Sequence, residues 1–258
     1  MIDGDERRLP SSIGGLVDYA FGALAERAGF YLVVSAMVFV LEAAVEFAIP
    51  VAKADSPQGA VKLEALFYAA MLADSLATAA VALGVASRLA DERLGSKRIA
   101  GAAAERWLPV LLTTVIVQTV VRLTSGLSGL GPISDPAALV FVTAPFVWVL
   151  WGVLSLAVPI TALSGERPAF AVITGLTRAI GLSLRSYNLL RLCLISFVSI
   201  APLLLQTIAY DVMQRHGVPR IFFWANTPID ALTVVPVAAL QTVFAIDFAR
   251  RVAAQRSA

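Results

Sequence analysis

Six long apolar stretches separated by charged segments constrain this chain more than any other feature. They cover residues 29–51, 66–89, 107–127, 137–163, 187–210 and 227–248. A helix needs about 20 apolar residues to cross about 30 Å of hydrocarbon, and every stretch reaches that length. Only a lipid bilayer can bury all six. The sequence therefore predicts an all-α, polytopic integral membrane protein with six transmembrane helices in three hairpins.

The composition indicates the same class and argues against several others. The chain is 59% hydrophobic and only 15% charged, which is outside the usual balance of soluble domains. Its net charge of +2 and its lack of basic runs interleaved with aromatic residues argue against nucleic acid as a partner. The single cysteine, Cys193, rules out an internal disulfide and a cysteine-cluster metal site. We predict no metal and no cofactor.

The positions of the basic residues predict an orientation. If the N-terminus is cytoplasmic, most of the 20 lysines and arginines fall in the segments on the cytoplasmic side. Both termini are then cytoplasmic, in the inner (plasma) membrane of a bacterial-type cell. Acidic residues between Asp3 and Glu6 precede the first apolar stretch, so we expect it to be retained and not cleaved as a signal peptide.

A short amphipathic segment precedes each predicted hairpin. Ser11 or Ser12 would cap the first segment, Ser96 would cap the second, and Pro168 suits the first turn of the third. The apolar positions are Ile13, Leu16, Val17, Ala20, Phe21 and Leu24 in the first, Ile99 and Ala103 in the second, and Ile173, Leu176, Ile180 and Leu184 in the third. These segments are too polar to span, so we expect interfacial helices on the cytoplasmic side with the apolar face towards the membrane. In the second segment this places Ile99 and Ala103 inward and the charged residues outward.

The hairpins and their leading segments look like a repeat within a single domain, residues 1–258. The units would be residues 11–90, 96–163 and 168–250, and Ala-Glu-Arg occurs at 25–27 and again at 104–106, at corresponding places. Two interpretations stay open. The matches reflect a triplication, or they are coincidences among arginine-rich loops.

Several of these patterns together resemble a known family. Pro159 and Glu166 close the fourth span, an arginine helix carries Arg178, and the last span ends in Asp247 followed by basic residues. This arrangement resembles the integral-membrane domain of glycerophosphoryl diester phosphodiesterases and its stand-alone relatives. The catalytic histidine and carboxylate motifs of those enzymes are not in this sequence, whose only histidine is His216. The resemblance implies a membrane domain without hydrolase activity.

Ionisable residues inside the spans mark a candidate polar cavity. Glu42 and Asp74 lie at similar depths in the first two spans, and Glu46 follows Glu42 by one helical turn. Arg122 lies as far from the end of its span as Glu46 does, so these two side chains are predicted to meet. Burying charge in hydrocarbon costs several kcal/mol unless the charge is paired, neutralised or hydrated. The cluster is either a polar binding or proton-responsive site, or a structural network that fixes helix packing.

Basic residues of the cytoplasmic segments are candidate ligands for anionic lipid headgroups. They are Arg88, Arg93, Lys97, Arg98, Arg178 and Arg185. Generic positive-inside topology explains them equally well.

These features favour a non-enzymatic membrane protein that handles a lipid or an amphipathic solute in membrane homeostasis. A second hypothesis is an assembly or regulatory subunit that meets another membrane protein. An intramembrane enzyme that uses only carboxylates is the third and least supported. The expected partners are membrane lipids and, under the second hypothesis, a membrane protein.

Overall fold

The computed structural model describes residues 9–48, 57–90, 94–127, 148–185, 188–218 and 221–256, and across these ranges it contains helices and no strands. The helices are α1 (Ile13–Ala25), α2 (Ala28–Ala48), α3 (Pro57–Leu89), α4 (Ser96–Glu105), α5 (Trp107–Leu127), α6 (Trp148–Leu163, with a turn at Leu156), α7 (Pro168–Ser183), α8 (Leu189–Arg215) and α9 (Ile221–Arg256). The predicted all-α class is confirmed for these residues.

Four of these helices are long and apolar enough to cross a membrane. They are α2, α8, the Tyr68–Leu89 part of α3 and the Trp224–Gln255 part of α9. α4 and α5 form a fifth if the pair is one span, although they meet at a bend of 61°. The fourth predicted stretch begins at residue 137, but only its Trp148–Leu163 part is described, and that part is shorter than a span. Several apolar helices compatible with membrane insertion are therefore present, while the count of six stays a prediction.

Two helices form the centre of the bundle. α3 packs against α2, α4, α5, α6 and α9, and α9 also packs against α1, α2 and α8. Small buried residues such as Ala73, Ala77 and Ala80 let other helices approach α3 closely. On α9 the rings of Phe244 and Phe248 are fully buried and meet edge to face at 6.4 Å. α2 and α8 lie at the periphery, where their large apolar side chains are exposed as a lipid-facing surface requires.

Two glycines allow close helix crossings around α6. A Cβ atom at Gly152 would overlap the side chain of Ser196 on α8 and would lie 3.0 Å from its Cα atom. A Cβ atom at Gly175 on α7 would overlap the hydroxyl of Thr161. Any larger residue at these positions forces the helices apart. α6 is thereby held between α7 and α8.

The predicted starts of the interfacial helices are partly right. Ser12 caps α1, where its Oγ accepts a hydrogen bond from Gly15 N at 3.1 Å, and Pro168 occupies the first turn of α7. The prediction that Ser96 caps α4 is wrong. Gly95 has the extended backbone of the N-cap position (φ −67°, ψ 153°), so Ser96 is the first helical residue.

The apolar faces of the interfacial helices do not all point the same way. On α4, Ile99 and Ala103 are buried as predicted. α1 buries Leu16 and Ala20 against the bundle, so the expectation of a membrane-facing stripe is wrong for this part of α1. α7 instead packs through a row of small residues, and the larger Leu184 of its predicted stripe is 76% exposed. Only α7 therefore presents much of its apolar stripe outwards.

Arginines gather at one end of the bundle and join the start of one helix to the end of another. Arg27 donates to Ser87 Oγ at 3.0 Å, and Arg106 donates to the carbonyl oxygen of Ala162 at 2.5 Å. A third arginine, Arg191 near the start of α8, forms an ion pair with a carboxylate near the end of α9. We call this the arginine end. The three contacts occupy corresponding places in the three predicted units, which is what a triplication would produce, although the repeat itself stays a prediction.

Both ends of the described chain lie at the arginine end. Arg250 donates to the carbonyl oxygen of Leu9 at 2.9 Å. Arg251 and Arg191 donate to the carbonyl oxygen of Ser11 at 3.0 and 2.7 Å. The segment that precedes α1 is therefore tied to α8 and to the last turns of α9.

Candidate solute-binding cavity

A cavity of about 530 Å³ lies within the bundle, between α3, α5, α6, α8 and α9. Its polar lining consists of Asp74, Thr78, Thr114, Gln118, Ser155, Ser199, Gln206, Asp230, Thr233 and Gln241. Its apolar lining includes Met71, Val117, Trp151, Val158, Leu203, Val234 and Val237. The cavity is therefore amphipathic, and five helices contribute to it.

Two carboxyl groups line one end of this cavity, and a third lies within electrostatic range of them. Asp74 on α3 and Asp230 on α9 both line it and lie within electrostatic range of each other. Glu42 on α2 is within electrostatic range of both and is only 3% exposed. Its Oε1 atom has no hydrogen-bond partner among the described residues. We call Glu42, Asp74 and Asp230 the carboxyl cluster.

The carboxyl cluster is not arranged as a metal site. In the part of the chain that the structure describes, no group of three or more His, Cys, Asp or Glu side chains is placed to hold a metal ion. The direct hydrogen-bond partner of Asp230 is instead an amide, because Gln206 Nε2 on α8 donates to Asp230 Oδ1. This contact joins α8 to α9 at the cavity wall.

Hydroxyl groups and a second amide line the other end of the cavity. Ser199 Oγ on α8 accepts from Gln241 Nε2 on α9 at 3.0 Å and lies 3.1 Å from Ser155 Oγ on α6. Ser199 also donates to the carbonyl oxygen of Ile195 at 2.7 Å. The three side chains form a buried network across three helices. Because each serine hydroxyl donates to a backbone carbonyl, the donor capacity that remains towards the cavity is that of the Gln241 amide.

The charged side chains of the described cavity lining are acidic. The described residues around the cavity include two aspartates and no lysine or arginine. The indole ring of Trp151 and the side chains of Val117 and Leu203 supply apolar surface in the same space. The cavity thus offers negative charge and hydrogen-bonding groups next to an apolar wall.

The structure brings together some of the residues predicted for a polar cavity. Glu42 and Asp74 lie within electrostatic range of each other, in line with their similar depths. Glu46 is half-buried one turn along α2 and is not part of the cavity lining. Arg122 lies in α5, but its side chain falls outside the described residues, so the predicted contact between Glu46 and Arg122 stays a prediction.

Sequence reasoning missed Asp230 and Gln206. Asp230 lies three residues inside the last apolar stretch, where it passes for an interfacial residue. Gln206 lies inside the fifth stretch, at a place where an amide side chain needs a partner. A search for every polar side chain within the apolar stretches, and not only for those at mid-depth, would have found both.

The candidate lipid-binding residues divide into two groups. Arg88 is engaged within the protein, and its role as a headgroup ligand stays a prediction. It forms an ion pair with Glu26 at 2.8 Å, donates to the carbonyl oxygen of Tyr19 at 3.0 Å and lies 4.6 Å from the centre of that tyrosine ring. Lys97, Arg98, Arg178 and Arg185 are exposed, and Arg93 lies outside the described residues.

Comparison with protein-family models, with curated proteins and with solved structures gave no match. The resemblance to the membrane domain of glycerophosphoryl diester phosphodiesterases thus stays a prediction from the sequence patterns.

Proposed function

We propose that this chain is a six-span protein of a bacterial-type inner membrane that binds a small amphipathic solute in its central cavity, without catalysing a reaction. The cavity carries this proposal. Its volume of about 530 Å³ falls in the range of small-molecule sites, about 300–1,000 Å³. Its carboxylates, amides and hydroxyls lie beside apolar walls, which suits a ligand with one polar and one apolar part.

The proposed topology rests on the arginine end. The basic side chains there lie at the start of α2, α5 and α8, where the positive-inside rule places cytoplasmic loops. Leu9 and Arg250 are in contact, so an even number of spans accounts for both ends of the chain. The sixth span would comprise α6 and the apolar residues before it.

Binding is favoured over catalysis by the groups that the cavity gathers. Acyl or phosphoryl transfer requires an activated nucleophile or a metal set. The serines of the lining donate to backbone carbonyls of their own helices, as Ser155 and Ser199 do, and their two hydroxyl oxygens lie 3.1 Å apart. His216 lies at the C-terminal end of α8 and is not part of the lining. These groups can hold and orient a ligand.

Native mass spectrometry of protein extracted gently from its own membranes tests this function. We expect the wild-type protein to retain a small molecule and Val237→Trp, which fills the cavity, to lose it. Leu232→Trp is the matched control, because Leu232 is on the same helix but is 75% exposed. A wild-type protein that retains no small molecule, or a Val237→Trp variant that retains it, contradicts the proposal. Recovery of a protein partner alone would favour the assembly-subunit hypothesis instead.

A further inference from the structure

We propose that the solute is an organic cation and that it binds in exchange for a proton of the carboxyl cluster. This inference rests on the proposed function, since it assigns the ligand class and the regulation of the same cavity.

The sign of the ligand's charge follows from the charged groups of the cavity lining. Asp74 and Asp230 face the cavity, and no basic side chain among the described residues faces it with them. Unpaired charge away from water is costly, and a positive ligand group would pair it, whereas an anion would add to the repulsion. Trp151 supplies an aromatic face, which attracts cations, and the aliphatic wall accepts an apolar body.

Glu42 provides a second indication that the carboxyl cluster binds a proton or a cation. It is only 3% exposed, and its Oε1 atom has no hydrogen-bond partner among the described residues. A buried acceptor without a partner costs free energy, commonly about 1–3 kcal/mol. A proton on the cluster, or a cation beside it, would remove that cost.

The elements around the cluster contribute negative or neutral groups. Glu42 and Glu46 belong to α2, Asp74 to α3 and Asp230 to α9. α8 contributes Gln206, and α5 and α6 contribute amide and hydroxyl groups such as Gln118 and Ser155. The side chain of Arg122 on α5 lies outside the described residues. Protons and a cationic ligand thus compete for the same negative charge.

The exchange conserves charge and atoms. When the cavity is empty, a carboxyl O–H bond of the cluster holds a proton. When the cation enters, that bond breaks, the proton leaves to water and the carboxylate pairs with the cation. No bond forms to the solute and nothing is oxidised, so no co-reactant is needed.

Equilibrium binding to the full-length protein in lipid nanodiscs tests the inference. The probes are tetraphenylphosphonium, a permanent cation, and tetraphenylborate, an anion of similar size and shape, with empty nanodiscs as the blank. We expect saturable binding of the cation only. Its affinity should fall about tenfold for each unit of pH decrease in the range where one proton is exchanged. A pH indicator in weakly buffered solution should report the released proton.

Variants test whether binding of the cation depends on the carboxyl cluster and not on other acidic residues of the protein. Asp230→Asn and Asp74→Asn should each weaken binding of the cation at least about tenfold, in line with the loss of a close charge pair. Asp211→Asn is the control, because Asp211 is an exposed aspartate near the end of α8. If a cluster variant does not fold, the pH series and the proton release of the wild-type protein still decide the question.

Each outcome has one meaning. Equal binding of both ions overturns the cationic assignment while the cavity remains a solute site. Cation binding that does not change with pH and releases no proton overturns the exchange. Binding of neither ion overturns the inference as a whole, and the retained-solute experiment on Val237→Trp then decides separately whether the proposed function fails as well.

Discussion

Asp247 and Arg251 form an ion pair of 2.8 Å one helical turn apart on α9, and the Asp247 side chain is completely buried. Arg191 of α8 reaches the same carboxylate oxygen at 3.1 Å. Asp211 and Arg215 form a pair with the same spacing on α8, at 2.7 Å, but their side chains are 55% and 75% exposed. The chain thus contains two Asp–Arg ion pairs of the same spacing, one with a buried aspartate and one with both side chains exposed.

Replacing the buried aspartate should be far more costly than replacing the exposed one. Asp247→Ala leaves two arginines without their carboxylate, and loss of one partner of a buried pair typically costs about 3–5 kcal/mol. Asp211→Ala should change the free energy of unfolding by about 1 kcal/mol or less, because exposed pairs contribute little. Unfolding in mixed detergent micelles measures both. Equal effects would show that burial of Asp247 has no energetic role.

Gly152 should not tolerate a side chain. Gly152→Ala places a methyl group against Ser196, so we expect a loss of about 1–3 kcal/mol in stability, as for other overpacked sites. Gly101→Ala is the control, because nothing lies within 4 Å of its added Cβ atom and alanine favours a helix. Thermal unfolding of the two variants side by side tests this. A Gly152→Ala variant as stable as the wild-type protein contradicts the close crossing of α6 and α8.

Arg106 should stabilise the bundle more than its neighbours in sequence do. Arg106→Gln removes the hydrogen bond to the carbonyl oxygen of Ala162, and bonds from charged donors contribute about 1.5–3 kcal/mol. Arg98→Gln, at an exposed position of α4, should leave stability nearly unchanged. Chemical unfolding of both proteins checks the difference. Similar losses of stability in both variants would indicate that Arg106 contributes only its positive charge and not the hydrogen bond to Ala162.

Cysteine labelling should place both ends of the chain on one side of the membrane. In a Cys193→Ser background, we expect Ser11→Cys and Ala258→Cys to be protected from a membrane-impermeant maleimide in intact spheroplasts. His216→Cys, at the other end of α8, should react. The physical reason is the set of contacts that joins residues 9–11 to residues 250–251. Labelling of Ala258→Cys from outside would overturn the cytoplasmic assignment.

The local features of the fold were the most predictable from the sequence. A cap such as Ser12, a first-turn proline such as Pro168 and an inward pair such as Ile99 and Ala103 each depend on neighbours within one or two turns. The start of α5 at Trp107 also matches the predicted stretch, because the charged residues Glu105 and Arg106 end there and an apolar run begins. Features that depend only on neighbouring residues of one helix can be predicted from the sequence of that helix.

Features that depend on contacts between helices were less predictable. The sequence alone does not indicate the partners of Arg88, because Glu26 and Tyr19 contact it only when α1 packs against α3. From the sequence alone Asp230 is taken for an interfacial residue, because only the packing of α2 and α3 against α9 brings Glu42 and Asp74 within electrostatic range of it. On α7 the periodic stripe is real, but the row of small residues on another face packs better against α6. Sequence periodicity identifies faces and does not say which face meets protein.

The most direct test of the solute site is an anomalous-diffraction map from crystals grown with an iodine-labelled lipophilic cation. We expect one strong iodine peak inside the bundle, beside Trp151, with the cationic group towards Asp74 and Asp230. Peaks confined to the lipid-facing sides of α2 and α8, with none in the cavity, would contradict it.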